Sequence, residues 1–189
     1  MFNKKNFIYR KRSAYSQEGC DHAIKLFEKK VDLQHKGTFG DQAIPNYKMK
    51  NCTEMYLERE EYPIFEDVLQ GCVNDYVKIH PYISKHIVPF RSCPIFKLQK
   101  YKPKEGYFAL HCENEGPNLG LERLLAWMIY LNDVTDGGHT VFPNQNRKFQ
   151  PRRGDLLIWP AYFTHTHYGV TSKTQTKYIA TGWFIFKDM

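Results

Sequence analysis

The 189-residue chain has no stretch of about 18 consecutive apolar residues, so it offers no membrane-spanning helix. Cysteine is sparse and unpatterned. Cys20, Cys52, Cys72, Cys93 and Cys112 make an odd number at irregular spacing, with no Cys-x-x-Cys pair. That argues against a disulfide scaffold and a zinc ribbon, and for reduced thiols in a cytoplasmic setting. There is no internal repeat and no low-complexity tract. The basic start (Lys4, Lys5, Arg10, Lys11, Arg12) runs into neither an apolar stretch nor a small-residue cleavage site, so it does not read as a signal peptide. Those five residues carry much of the net charge of +7, and no base-reading motif accompanies them. The charge therefore reads as a solvated terminal arm rather than a nucleic-acid surface.

What is present is apolar and aromatic. A hydrophobic fraction of 42%, with 13 Tyr and 13 Phe, excludes a disordered chain. A chain of this length buries roughly 70% of its surface and needs no staple. A single domain over 1–189 is expected, with residues 1–92 a mainly helical support and 93–189 the functional core. Ser16 caps a first helix whose apolar stripe is Cys20, Ala23, Ile24, Phe27 and Val31. A second helix runs from about Ile64 to Ile79, with Pro81 just beyond its end. His35 to Met55 between them reads as polar loop with some strand.

From Cys93 onward the pattern turns to short strands: Ile95–Tyr101, Tyr107–Glu113, Leu124–Asn132, Thr140–Phe142, Asp155–Trp159, Thr164–Val170 and Lys177–Phe186. Gly137-Gly138, Pro151, Arg153-Gly154 and Gly169 punctuate them. Helices first and many short strands afterwards predict an α+β chain built on an antiparallel sandwich or barrel.

Two His-rich segments lie in this strand-like half. In an extended segment His111 and Glu113 point to one side, as do His165 and His167. Two imidazoles and one carboxylate on a β scaffold make a facial triad that leaves metal positions open for substrates. From His111-Cys112-Glu113 alone, a hydrogen-bonded histidine beside a solvated acid reads at least as well. Glu115 shares the face as a second carboxylate.

The surrounding blocks carry more. Tyr101 precedes His111 by ten residues. Then come Tyr130-Leu131-Asn132, Gly137-Gly138-His139-Thr140-Val141-Phe142-Pro143, Gly154-Asp155-Leu156-Leu157-Ile158-Trp159-Pro160, His167, and Lys177-Tyr178-Ile179-Ala180-Thr181-Gly182-Trp183. In this order the run from Tyr101 to Trp183 resembles the prolyl 4-hydroxylase branch of the Fe(II)/2-oxoglutarate-dependent dioxygenases. The resemblance implies a double-stranded β-helix, or jelly roll, with N-terminal flanking helices.

By motif position the resemblance implies that His111, Glu113 and His167 hold Fe(II). His167 takes precedence over His165 because Lys177 follows it by ten residues. It further implies that Lys177 pairs with the far carboxylate of 2-oxoglutarate, with Tyr101 and Tyr130 as helpers and Trp183 near the pocket. The implied activity consumes 2-oxoglutarate and O2, with ascorbate as an accessory, and hydroxylates a C–H bond, peptidyl proline first among targets, releasing succinate and CO2. A peptide or protein substrate is the implied partner. Glu113 departs from the family's usual Asp, and keeps open a non-catalytic binding protein with a degenerate site. An oxygenase acting on a nucleic acid or a free amino acid is the further alternative.

Overall fold

The computed structural model describes residues 6–38, 44–87, 89–114 and 122–187. Thirteen strands and three α-helices are assigned there. The first half holds β1 (Tyr9–Lys11), α1 (Gln17–Lys29), β2 (His35–Lys36), β3 (Lys50–Asn51), β4 (Thr53–Glu58), α2 (Glu66–Ile79), α3 (Tyr82–His86) and β5 (Phe90–Ser92). The second holds β6 (Ile95–Tyr101), β7 (Gly106–Tyr107), β8 (Arg123–Tyr130), β9 (Thr140–Phe142), β10 (Arg147–Phe149), β11 (Leu156–Pro160), β12 (Tyr168–Gly169) and β13 (Lys177–Phe186).

The large antiparallel sheet runs β1-β11-β8-β13-β6-β4-β2, with β5 also paired to β13. A three-stranded sheet, β10-β9-β12, and a ribbon, β3-β7, complete the architecture. This is the expected double-stranded β-helix with helices from the N-terminal half. That half also supplies β1, β2, β4 and β5 to the large sheet, so its support is stranded as well as helical.

Side-chain parity divides the large sheet into two faces. On one face Leu125, Trp127 and Ile129 of β8 and Phe96 and Leu98 of β6 join Phe27 of α1 and Leu69, Cys72 and Tyr76 of α2. On the other, Ala126, Met128 and Tyr130 of β8, Tyr101 of β6 and Ile179 and Trp183 of β13 join Phe142 of β9, with Phe149 and Tyr107 packed alongside. Because β8 is buried on both faces, Leu124–Leu131 reads as an unbroken apolar run rather than an alternation.

Ser16 caps α1, its hydroxyl accepting the Gly19 N–H at 2.9 Å. The helix stops at Lys29, two residues short of the end of its apolar stripe, and Val31 is exposed in a following 3-10 turn. Glu66 and Asp67 place negative charge in the first turn of α2, which begins without a side-chain cap. Pro81 stands at the start of α3, an element the sequence pattern did not announce.

Three expectations change. The basic start is not simply a solvated arm. Arg10 and Lys11 belong to β1, where Arg10 Nε donates to Asp155 Oδ2 at 2.9 Å and Lys11 pairs with Asp75 at 3.2 Å. The expected strand Tyr107–Glu113 shortens to β7. Beyond it Phe108 and Ala109 donate their N–H groups to the single Met49 carbonyl, and Glu113 donates to Ala161, so no continuous ladder forms. Thr164–Val170 likewise resolves into a 3-10 turn at Phe163–His165 and then β12. No helix among the described residues is long and apolar enough to cross a membrane.

Candidate metal centre and cosubstrate pocket

His111 and His167 come from distant segments and meet as an isolated antiparallel bridge. The His111 N–H donates to the His167 carbonyl at 3.1 Å, and the His167 N–H returns the bond at 2.8 Å. Glu113 joins them. Its Oε1 lies 3.3 Å from His167 Nε2 and 3.8 Å from His111 Nε2. One ligand atom from each of the three lies within 4.8 Å of the others.

The ring orientations are set by the backbone. His111 Nδ1 pairs with the Ala109 carbonyl at 2.9 Å and His167 Nδ1 with the His165 carbonyl at 3.0 Å. Nε2 of each ring is thereby left to face Glu113, the orientation metal-ligating histidines take when a carbonyl holds their other nitrogen. Tyr107 stacks on the His111 ring with centroids 3.6 Å apart, while Phe142 and Trp159 pack against His167. Burial, reinforced by His167 nearby, pushes the His111 pKa down to about 3, so the imidazole is neutral at physiological pH, the form that ligates. Burial works against the Glu113 charge, but the contact with His167 and the nearby Arg123 guanidinium outweigh it and hold the carboxyl well below its usual range. Two imidazoles and one carboxylate, largely buried and converging on one point, fit a divalent first-row ion such as Fe(II).

His165 is engaged elsewhere. Its Nε2 pairs with the Asn6 carbonyl and its Nδ1 with Thr164 Oγ1, both at 2.9 Å. Glu115 lies outside the described residues.

Lys177 opens β13, two-residue steps from Ile179 and Trp183, and so shares their interior face. It is 5% exposed, with Nζ 4.7 Å from the Tyr101 ring centroid. Its Nζ donates to the Gly138 carbonyl at 3.2 Å. Gly138 holds φ +71°, and a Cβ there would lie 2.8 Å from Val134, so the turn presenting that carbonyl requires glycine. Burial pulls the Lys177 pKa down to about 8. The two tyrosines are present on the same face but with their hydroxyls occupied. Tyr101 donates to Gln99 Oε1 at 3.2 Å, and Tyr130 to Thr140 Oγ1 at 2.8 Å.

Several polar residues of this face escaped sequence reasoning. Glu54 is fully buried, and its Oε2 accepts from Lys50 Nζ at 2.7 Å and Gln99 Nε2 at 2.6 Å. Lys97 Nζ lies 4.0 Å from Glu54 Oε1 and 5.4 Å from the Trp183 ring centroid. The available signal was Lys97-Leu98-Gln99, polar residues alternating through a strand too apolar to be an edge. Arg123 was missed as well. It donates to the Glu113 carbonyl at 2.8 Å.

The family model of the 2OG-Fe(II) oxygenase superfamily matches residues 96–185, the segment that carries all three converging side chains and Lys177. In sequence and fold the chain is 2OG-Fe(II) oxygenase-like. The curated relatives that it matches carry prolyl 4-hydroxylase names. It is 27% identical over 155 residues to a putative prolyl 4-hydroxylase of Acanthamoeba polyphaga mimivirus, covering 72% of this chain and 58% of the relative. The chain thus spans little more than half the length of that curated relative.

Among solved structures, the viral collagen prolyl hydroxylase of Paramecium Bursaria Chlorella virus-1, as its 2OG complex, superposes with a TM-score of 0.72 at 20% identity. That likeness covers 96% of this chain and 97% of that one. A Trichoplax adhaerens prolyl hydroxylase in complex with a hypoxia-inducible-factor peptide fragment superposes with a TM-score of 0.74 at 14% identity, covering 95% and 84%.

Proposed function

We propose that the chain is an Fe(II)- and 2-oxoglutarate-dependent dioxygenase that hydroxylates a C–H bond of a peptide or protein, peptidyl proline first among targets. The observation that carries this reading is the convergence of His111, Glu113 and His167 within 4.8 Å on the sheet face that also holds buried Lys177. The prolyl 4-hydroxylase relatives support the choice of proline.

In this reading His111 Nε2, His167 Nε2 and a Glu113 oxygen hold the ion. Iron(II) with 2-oxoglutarate and O2 supplies, when bound, oxidative decarboxylation coupled to C–H hydroxylation, releasing succinate and CO2. The protein's own contribution is placement and shielding. Lys177 offers the cosubstrate's distal carboxylate a charge-assisted bond from a site where water does not compete. Tyr101 and Tyr130 wall that end and can turn their hydroxyls from Gln99 and Thr140 to the carboxylate. Phe142, Trp159 and Tyr107 shield the imidazoles from solvent. No disulfide joins any of the five cysteines, which supports a reducing, cytoplasmic setting.

The test is succinate formation from 2-oxoglutarate with Fe(II), driven by Pro-rich peptides, collagen-like peptides or single-stranded nucleic acid. Peptide-dependent turnover supports the proposal. Turnover stimulated by nucleic acid alone, or none with an iron-loaded protein, overturns it.

A further inference from the structure

Glu113 carries one methylene more than the aspartate its motif leads one to expect, and with it one more torsion to fix. Two contacts restrain it. Arg123 Nη1 donates to the Glu113 backbone carbonyl at 2.8 Å. The indole Nε1–H of Trp183 donates to Glu113 Oε2 at 2.7 Å. The two restraining groups also hold each other, since the Arg123 guanidinium lies over the Trp183 ring at 3.8 Å from its centroid. Lys97 Nζ is a second cation near the same ring. Cations over a π face withdraw electron density and strengthen the indole N–H as a donor.

The two carboxylate oxygens therefore have different partners. Oε2 is taken by the indole, and Oε1 is the atom that faces His111 Nε2 and His167 Nε2. We infer that Trp183 is a positioning residue: its indole N–H occupies Glu113 Oε2 so that the glutamate meets the metal through Oε1 alone. A free glutamate, longer than aspartate, has the reach to bind through both oxygens, which would close a coordination position that a bidentate cosubstrate needs. The inference rests on the metal reading above. It assigns to Trp183 a task specific to this chain's longer carboxylate.

The test uses the whole chain with Co(II), a spectroscopically visible divalent probe, in place of iron. Two variants are compared with wild type. One replaces Trp183 by 3-benzothienylalanine, which keeps the bicyclic shape and puts sulfur where the N–H stands. The other is Trp183→Phe. Removing an outer-shell partner of a metal ligand weakens binding roughly 10- to 100-fold.

The expected result is a loss of Co(II) affinity in that range for both variants, with a changed Co(II) d–d spectrum as the carboxylate leaves its one-oxygen mode. The metal-free benzothienylalanine protein should melt close to wild type. A spectrum and affinity matching wild type in the benzothienylalanine protein overturn the inference while leaving the metal site standing. Failure of wild type itself to take up Co(II) would remove the metal reading, and this inference with it.

Discussion

Replacing Lys177 by methionine should make the ligand-free protein more stable and the cosubstrate bind more weakly. The side chain is nearly the same length, so the perturbation is mostly electrostatic. Burial lowers the Lys177 pKa from its ordinary 10.5 to about 8. At about 1.4 kcal/mol per pH unit, holding the ammonium in the folded chain costs on the order of 3 kcal/mol at neutral pH. The bond to the Gly138 carbonyl offsets about 1 kcal/mol of that. A net gain of about 2 kcal/mol for Lys177→Met raises Tm by roughly 4–8 °C in a chain of this size.

Against that gain stands the lost bond to an ionised carboxylate, worth about 1.5–3 kcal/mol, or roughly 10- to 150-fold in affinity. Calorimetric melting without ligands reads the first effect. Titration of 2-oxoglutarate into the Mn(II)-loaded protein, where no turnover occurs, reads the second. A lower Tm with unchanged 2-oxoglutarate affinity would show that Lys177 serves the fold, and would refute the reasoning.

The same lysine sets a pH dependence. Its folded pKa is depressed, so the unfolded chain binds the extra proton between about pH 8 and 10.5, and ligand-free stability should rise with pH across that window. The affinity for 2-oxoglutarate should instead fall above about pH 8, with proton uptake on binding detectable as a buffer-dependent heat; pH-independent binding from 7 to 9.5 would contradict this. Glu113→Asp should retain metal and part of the turnover, whereas Glu113→Ala should lose both, because two imidazoles alone hold a hard divalent ion poorly; metal analysis with succinate assays decides. Glu54→Gln should destabilise the fold by about 3–5 kcal/mol, since it leaves Lys50 buried without its counter-ion. Burial opposes the Glu54 charge, but Lys97 and Lys50 prevail and hold its pKa at about 2, so its contribution is present above about pH 4.5 and lost as pH falls towards 2. Urea melts of wild type and Glu54→Gln across pH 2–6 should converge at the acid end.

Where elements are regular, the sequence was enough. β6, β9 and β13 fall on the residues their patterns marked, and α1 starts where Ser16 caps it. Parity within β13 puts Lys177 and Trp183 on one face, a reading the strand pattern allows once its bounds are known. The departures come where hydrogen bonds leave the ladder. Around His111 the chain borrows carbonyls from Met49 and Ala161, two remote segments whose approach no local pattern encodes. Val31 continued a helical stripe that the backbone abandoned at Lys30, whose N–H closes on the Leu26 carbonyl as the helix ends.

The polar residues of the interior face were hidden for a related reason. A charged residue in a strand reads by default as solvent-facing, and Lys50, Glu54 and Lys97 each fit that default singly. They cease to fit it only when β3, β4 and β6 are set side by side, because burying one of these charges is tolerable only beside the others. The pairing Glu54↔Gln99 across β4 and β6 brings the Glu54 carboxylate within reach of the Gln99 amide, and Lys50 and Lys97 then supply the counter-charges. The interior face so built carries Lys50, Lys97 and Lys177, with Arg123 beside Glu113, against Glu54 and Glu113, an excess of positive charge. Such an excess is costly in the empty protein and is relieved by a small dianion. That is why Lys177→Met, which lowers the excess by one, should stabilise the ligand-free chain while it weakens the 2-oxoglutarate binding proposed above.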